Sequence, residues 1–327
     1  MDMTARERVM AVINGKSADR TPVMFTMHFP ADCQFGDAAV KAHLDFFRES
    51  QGDIGKVMNE NLLRSDITAR RAGDLSGERI NLATKKGLDA QVDLVKRIVD
   101  QAGGERMILA TIHGPMVSVH HMSGRKGFFV ENLEFYRTCK EEDPQALRTA
   151  LQYASDALCL LVRRCIEEAW ADGIYFAALG AERTLFTREE YADIVRPFDN
   201  AVLNASRSAG GLNLLHICKK GVDVQRFVDY PVEIFNWEMT GTNPSLEEAL
   251  RLIPEDRTIL GGFSNESGPL IQGTEAEIRA ETSRLLEQVH GRRWILGAGC
   301  TLPTGIDCAK LRAVVSASKA FGKVYKD

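Results

Sequence analysis

Short apolar runs alternate with longer amphipathic stretches along this chain. Eight of the runs contain few polar positions, as is typical of strands that are buried on both faces of a sheet. We predict strands over these eight segments: Pro22–Met27, Ile54–Met58, Met107–Ile112, Ile174–Leu179, Leu212–Ile217, Glu233–Trp237, Thr258–Gly262 and Trp294–Gly297.

Helical patterns fill the intervals between these runs. From Leu147 to Cys165 the apolar residues recur every three or four positions, which predicts a helix with one buried face. Asp143 and Pro144 are placed to cap its start. Other helix starts carry a Ser/Thr-x-x-Glu capping box, in which the hydroxyl and the carboxylate each accept a hydrogen bond from a free backbone N–H. These boxes are Thr4/Glu7, Thr187/Glu190, Ser245/Glu248 and Thr274/Glu277.

The alternation of strands and helices predicts one α/β domain over residues 1–327, with the (β/α)8 architecture of a TIM barrel. An open, doubly wound sheet is the alternative, but no G-x-G-x-x-G follows the first strand. Two stretches exceed the usual length of a loop: Asn59–Leu88, which precedes a predicted helix at Asp89–Gln101, and His113–Glu142. We predict that both are loops that cover the C-terminal ends of the strands.

Three soft metal ligands follow two of the predicted strands. His216 and Cys218 end the fifth strand, and alternate residues of a strand point the same way, so both can reach one ion. Cys300 follows the eighth strand. One imidazole and two thiolates form a zinc ligand set, and three protein ligands leave a fourth position for a substrate. The alternative is that these side chains are structural, since Cys and His are both found in protein cores.

Other residues at predicted strand ends are candidates for the rest of the site. Glu182 and Glu238 are candidate catalytic carboxylates, because a poorly solvated carboxylate can serve in acid–base chemistry. Either of them, or Glu60, could fill the fourth position on the metal. We expect His120 and His121 to be surface histidines. The candidate substrate-binding residues are His28, Asn59, Glu60, His113, Trp237, Phe263 and Asn265.

Composition excludes several classes of protein. The 327 residues are 44% hydrophobic and 26% charged, which is ordinary for a globular protein. With 41 basic and 45 acidic residues the net charge is −4, so charge gives no basis for binding nucleic acid or an anionic membrane. No apolar run reaches the ~20 residues of a membrane span, and the first residues contain no apolar signal core, so we expect a cytoplasmic protein. The odd number of cysteines, 7, argues against a disulfide framework.

Three motifs together resemble the uroporphyrinogen decarboxylase superfamily. They are Arg20–Val23 near the start, the His216-x-Cys218 pair, and Gly299-Cys300 before the final helix. The resemblance extends from Arg6 to Tyr325, and it implies a (β/α)8 barrel.

One branch of that superfamily is similar in its metal ligands. In the corrinoid-dependent, zinc-containing methyltransferases, such as methylcobamide:coenzyme M methyltransferase, a His-x-Cys pair and a distant Cys bind the catalytic zinc. The resemblance therefore implies zinc on His216, Cys218 and Cys300. It also implies transfer of a methyl group between a corrinoid (a methylcobamide), carried by a separate corrinoid protein, and a small-molecule methyl acceptor such as a thiol. It further suggests a homodimer.

The other branch, uroporphyrinogen decarboxylase itself, is the alternative function. Those enzymes hold the substrate carboxylates with arginines in an early Met-Arg-Gln-Ala-Gly-Arg loop. This chain has no arginine in the corresponding stretch, Phe25–Pro30. A substrate with eight carboxylates needs several cationic donors, so the sequence argues against porphyrinogen decarboxylation.

Overall fold

The computed structural model describes residues 2–64, 68–76 and 82–322, with side chains from residue 85 onward in the last range. All eight predicted strands are present within these ranges. They are β1 (Val23–Met24), β2 (Ile54–Val57), β3 (Met107–His113), β4 (Gly173–Ala178), β5 (Leu212–Ile217), β6 (Ile234–Trp237), β7 (Thr258–Phe263) and β8 (Trp294–Ala298).

The strands form one parallel sheet in the order β1-β8-β7-β6-β5-β4-β3-β2, a nearly closed barrel. Strands that are consecutive in the chain lie side by side, and β8 returns to pair with β1. This is the order of a (β/α)8 barrel, so the predicted fold class is confirmed and the doubly wound alternative is excluded. The first strand is shorter than predicted, with Met27 forming only an isolated bridge to Leu302.

Helices occupy the intervals between the strands. They are α1 (Ala5–Ile13), α2 (Gly36–Ser50), α3 (Ala72–Ser76), α4 (Leu82–Ala102), α5 (Pro115–Met122), α6 (Leu133–Glu142), α7 (Pro144–Glu167), α8 (Arg188–Ile194), α9 (Arg196–Ser208), α10 (Leu246–Leu252), α11 (Pro269–Gln272), α12 (Glu275–Gln288) and α13 (Cys308–Phe321). Among the described helices none is long and apolar enough to cross a membrane.

The predicted helix caps form. Capping boxes are present at Thr4, Thr187, Ser245 and Thr274. The Asp143 carboxylate accepts a hydrogen bond from the first turn of α7. Each cap satisfies backbone N–H groups that the helix leaves without a partner, and so fixes where the helix begins.

Two long stretches begin at the carboxyl ends of β2 and β3, and both contain short helices. His113–Glu142 contains α5, a short 3₁₀ helix and α6. Asn59–Leu88 contains α3 and the start of α4, and residues 65–67 and 77–81 of it lie outside the described residues. Polar residues and glycines break the hydrophobic repeat here, and they separate short helices rather than forming one loop.

The chain divides into two compact units, each with its own packing. The first comprises residues 1–58, 97–109 and 233–327, and in it α13 packs against α2 and α12. The second comprises residues 59–96 and 110–232, and in it α7 packs against α3, α5 and α9. The largest fully buried side chains include Trp237 and Trp294 in the first unit and Tyr191 and Tyr230 in the second.

Candidate metal centre

The carboxyl end of β5 positions the first two candidate metal ligands. His216 is buried, and its ring stacks on Tyr175 of β4 with the ring centroids 5.5 Å apart. The backbone N–H of Cys218 donates a hydrogen bond of 3.1 Å to the Ala178 carbonyl, which continues the β4–β5 pairing past the end of β5. The β4–β5 pairing thus extends to Cys218, one residue past the end of β5.

The chain turns sharply after Cys218. Lys219 has a φ of 84°, a conformation that residues with a Cβ rarely adopt. Strained backbone of this kind persists only where the surrounding structure holds it, and it is concentrated at functional sites. The Lys219 ammonium lies 5.6 Å from the ring centroid of Phe128, an exposed aromatic side chain.

The third candidate ligand, Cys300, follows a glycine that packs tightly against the end of β6. A Cβ on Gly299 would lie 2.3 Å from the Glu238 Cα and 2.9 Å from the Trp237 carbonyl oxygen. The Gly299 N–H also donates a hydrogen bond of 2.9 Å to the Phe263 carbonyl. Since backbone atoms form most of this contact, only glycine fits, and the segment that carries Cys300 is fixed by its neighbours.

The ligand atoms of His216, Cys218 and Cys300 all lie within 4.8 Å of one another. Around a tetrahedral zinc with bonds of about 2.0 to 2.3 Å, ligand atoms lie roughly 3.3 to 3.8 Å apart. The upper limit of 4.8 Å is within about 1 Å of that spacing, so the three donors are placed to converge on one ion. The donor types, one imidazole and two thiols, are also those that zinc prefers.

Glu238, directly after β6, is buried and held by several donors. The Thr240 hydroxyl donates to Oε1 at 2.8 Å, and the backbone N–H of Asn265 donates to Oε2 at 3.2 Å. The Asn243 side chain donates to the Glu238 carbonyl at 3.0 Å. The predicted site residue Asn265 thus contacts Glu238 through its backbone. Phe263, which ends β7, packs against Phe25 with ring centroids 6.2 Å apart.

Two other predicted substrate-binding residues lie in different environments. Trp237 is fully buried, and its indole N–H donates a hydrogen bond of 2.8 Å to the Pro244 carbonyl. His28 is exposed beyond the end of β1, and its carbonyl accepts a hydrogen bond of 2.9 Å from the Thr304 hydroxyl. The structure thus places Trp237 in the core of the first unit and His28 at its surface.

Asn59 and Glu60 follow β2 in the second unit. Asn59 is buried, donates a hydrogen bond of 3.3 Å to the Thr111 carbonyl and accepts one of 3.0 Å from the Asn61 N–H. Both ends of its side chain are therefore used to shape this turn. Glu60 is half-buried and close enough for its charge to influence His121.

Glu182 is the most unusual carboxylate of the second unit. Its side chain is only 5% exposed, and neither carboxylate oxygen has a hydrogen-bond partner among the described residues. Burial raises the pKa of Glu182, and the nearby Lys219 charge offsets this only in part. A buried carboxyl without a partner is costly, and such groups are concentrated at functional sites.

The histidines near the end of β3 are enclosed, so the prediction of surface positions for His120 and His121 was wrong. His120 is buried and bonded to the Tyr136 hydroxyl at 2.9 Å. His121 is half-buried with an unpartnered Nδ1, and burial, with the charges of His120 and Arg64, lowers its pKa to about 4. The ring centroids of His113 and His121 lie 5.4 Å apart. The apolar residues around the pair in α5 were the available signal for this burial.

Comparison with known proteins identifies the family. A family model described as uroporphyrinogen decarboxylase (URO-D) matches residues 68–321. A methyltransferase from Methanosarcina mazei has a similar structure, with a TM-score of 0.76 and 18% identity over 98% of this chain and 99% of that one. A GH5_18 protein from Streptomyces cattleya, solved in complex with GlcNAc, gives a TM-score of 0.54 at 12% identity, over 93% of this chain and 81% of that one. These two likenesses show the fold alone.

A search of curated protein sequences found no match. The family model, however, covers well over half of the residues. The chain therefore belongs to the uroporphyrinogen decarboxylase family.

Proposed function

We propose that this chain is a zinc-dependent methyltransferase, which moves a methyl group between a corrinoid on a separate protein and a thiol acceptor. The observation that carries the proposal is the set of His216, Cys218 and Cys300, whose ligand atoms lie within 4.8 Å of one another. Membership of the uroporphyrinogen decarboxylase family and the fold that the chain shares with the Methanosarcina mazei methyltransferase support it.

The donor set suits a catalytic zinc. Three protein ligands leave one position open for a substrate, whereas structural zinc sites use four. Zinc bound there would favour the thiolate form of an acceptor thiol at neutral pH, so that the sulfur is nucleophilic. The chain's own contribution is to fix the ligands: Tyr175 stacks on the His216 ring, and the tight packing of Gly299 holds the backbone next to Cys300.

Glu182 is our candidate for the proton acceptor. Its carboxyl is buried and unpartnered, and its raised pKa brings it closer to the neutral range in which it can take up and release a proton. In the reaction the thiol loses its proton, the sulfur bonds to the methyl carbon, and the cobalt–carbon bond breaks. The electron pair of the cobalt–carbon bond stays on cobalt, so Co(III) becomes Co(I).

Glu238 is better suited to positioning than to proton transfer. Both of its oxygens accept hydrogen bonds, from Thr240 and from the Asn265 backbone, and it packs directly against Gly299. We therefore assign it the role of holding the segment that carries Cys300.

Zinc content is the first test of the proposal. The parent protein, Cys218→Ser, Cys300→Ser and the control Cys159→Ser would be analysed by elemental mass spectrometry after dialysis. Cys159 is a half-buried thiol on α7 and serves as the matched control. We expect about one zinc per chain in the parent and the control, and little in the other two, because a hydroxyl is a poor ligand for a soft site. Full zinc occupancy in both Cys218→Ser and Cys300→Ser would refute the metal site.

Activity is the second test. Methylcobalamin would be mixed with the protein and a small thiol, and the corrinoid absorbance would be followed. We expect demethylation by the parent and by Cys159→Ser, and loss of activity in Cys300→Ser. Release of carbon dioxide from uroporphyrinogen, unaffected by Cys218→Ser, would instead identify a decarboxylase.

A further inference from the structure

A cavity lined by cations lies at the amino ends of the first strands, within the first unit. Its volume is about 550 Å³, and its lining includes Arg8, Arg20, Arg48, Arg106 and Lys319. The proposed methyl transfer does not use these residues, because the active sites of barrel enzymes lie at the opposite, carboxyl ends of the strands.

Two of the lining arginines are already neutralised. Arg8 contacts Asp19 at 2.6 Å and Asp53 at 2.5 Å. Arg20 contacts the other oxygen of Asp53 at 2.7 Å. Arg8 and Arg20 thus share the buried Asp53, and Arg8 also pairs with the partly exposed Asp19.

Arg106 is different, because it lines the same cavity without a partner of its own. Among the described residues it has no hydrogen bond or ion pair from its side chain, and its Nε is buried and unsatisfied. It lies over the Phe47 ring, with the guanidinium carbon 5.5 Å from the centroid. Burial lowers its pKa, and the charge of Asp53 opposes this only partly. An arginine keeps its charge in spite of such a shift, so the cavity holds an uncompensated cation.

Other features of the cavity also favour an anion. Lys319, on the exposed side of α13, adds a second positive charge to the lining. The Nε of Arg20, whose residue is only 5% exposed, is a second donor without a partner in this wall. Arg48 also faces the cavity, although it is paired with Asp45. Asp2 is the one acidic lining residue outside the ion-pair network, so positive charge remains in excess among the described lining.

We propose that this cavity binds a small doubly charged oxyanion of the phosphate type, with Arg106 as its principal ligand and Lys319 as a second cation. The planar guanidinium donates two parallel hydrogen bonds to such an anion, and the ammonium adds a point charge. Binding here would stabilise the folded chain through mass action.

The test measures phosphate binding by calorimetry and by thermal unfolding, at constant ionic strength set with chloride. Inorganic phosphate, glycerol phosphate and succinate would be compared, which separates free phosphate from a phosphomonoester and from a dicarboxylate. The variants are Arg106→Met, which keeps the apolar contact with Phe47, and Lys319→Ala. The control is Lys85→Ala, an exposed lysine outside the cavity lining.

We expect phosphate to bind the parent and the control alike and to raise their unfolding temperatures. Arg106→Met should weaken binding at least tenfold, and Lys319→Ala severalfold. Equal binding by Lys319→Ala and the parent, or a response of Arg106→Met equal to that of the parent, would overturn the proposal, as would a parent that responds to phosphate no more than to chloride. If Arg106→Met does not fold, the exposed Lys319→Ala decides the outcome.

Discussion

Two buried carboxylates, one in each unit, illustrate opposite uses of charge. Asp53 is 1% exposed, and its two oxygens accept hydrogen bonds from Arg8, from Arg20 and from the Val23 N–H. Glu182 is 5% exposed and has no partner on either oxygen among the described residues. The first carboxylate is compensated on every side and holds the start of the barrel together. The second has no hydrogen-bond partner, and nearby positive charge offsets its burial only in part, which is typical of functional rather than structural carboxylates.

Asp199 of the second unit lies between these extremes. The Tyr191 and Tyr230 hydroxyls both donate to its Oδ2, at 3.1 and 2.9 Å. Its two partners are neutral, so burial prevails and raises the pKa of Asp199 to about 7. Neutral hydrogen-bond donors therefore do not offset the cost of burying the ionised form of this carboxyl.

The motifs that resemble the family have different roles in the structure. The Arg20–Val23 motif, on which the sequence resemblance partly rests, contributes to the Asp53 network through its arginine. The carbonyl of Thr21 accepts a further hydrogen bond from Ser318 on α13. This motif therefore stabilises the amino ends of the strands, whereas the His216-x-Cys218 motif provides candidate ligands at a carboxyl end.

The largest effect is expected from Asp53→Ala. Two buried guanidinium groups would lose their counter-charge, and breaking a buried ion pair by removing one partner costs about 3 to 5 kcal/mol. The free energy of unfolding, measured by urea titration, should fall by that amount or the chain should fail to fold. Asp45→Ala, which removes a partner of two exposed cations, is the control and should cost no more than about 1 kcal/mol. Equal effects of the two substitutions would contradict this account of the network.

The pH dependence of stability tests the intermediate case, Asp199. Its pKa is about 7 in the folded chain and roughly 3.9 in the unfolded one, so the contribution to stability is fully present below about pH 4 and is lost as the pH rises through 7. The loss is on the order of 4 kcal/mol. Asp199→Asn should remove this pH dependence, which is measured as the difference between parent and variant unfolding free energies at several pH values. A constant difference from pH 4 to 8 would show that Asp199 does not titrate in this way.

A smaller effect is expected from Gly299→Ala. The added methyl group would meet the backbone of Glu238, which cannot move aside by changing a rotamer, so the cost should be about 1 to 3 kcal/mol. Because Cys300 is the next residue, the zinc content should fall as well. Gly73→Ala is the control, since a Cβ there meets nothing within 4 Å. Normal zinc content in a destabilised Gly299→Ala protein would show that this contact does not position Cys300.

The features that the sequence predicted depend on short spacings. Strands, capping boxes and the His216-x-Cys218 pair are each defined within a few residues, and the barrel order then assigns strand ends to one face. The features that it missed depend on distant partners: Arg8 reaches Asp53 across 45 positions, and His121 is enclosed by the helices that follow β3. Such contacts are set by tertiary packing, and they cannot be predicted from the hydrophobic periodicity of the sequence.

Glu182→Gln should give the smallest change in stability. In contrast to Asp53→Ala, its main effect should be on activity. The amide removes an ionisable group from a buried position without removing a partner, so the free energy of unfolding should stay within about 1 kcal/mol of the parent. Because burial raises the pKa of Glu182, the parent should lose stability as the pH rises, and the variant should become relatively more stable at high pH. The methyl-transfer rate should fall by about 10² or more, the usual contribution of a general base. Urea titrations at pH 6 and pH 8 and the methylcobalamin assay measure the two effects separately. A variant that is strongly destabilised yet fully active would make Glu182 a structural carboxylate like Asp53, and the contrast between the two would no longer hold.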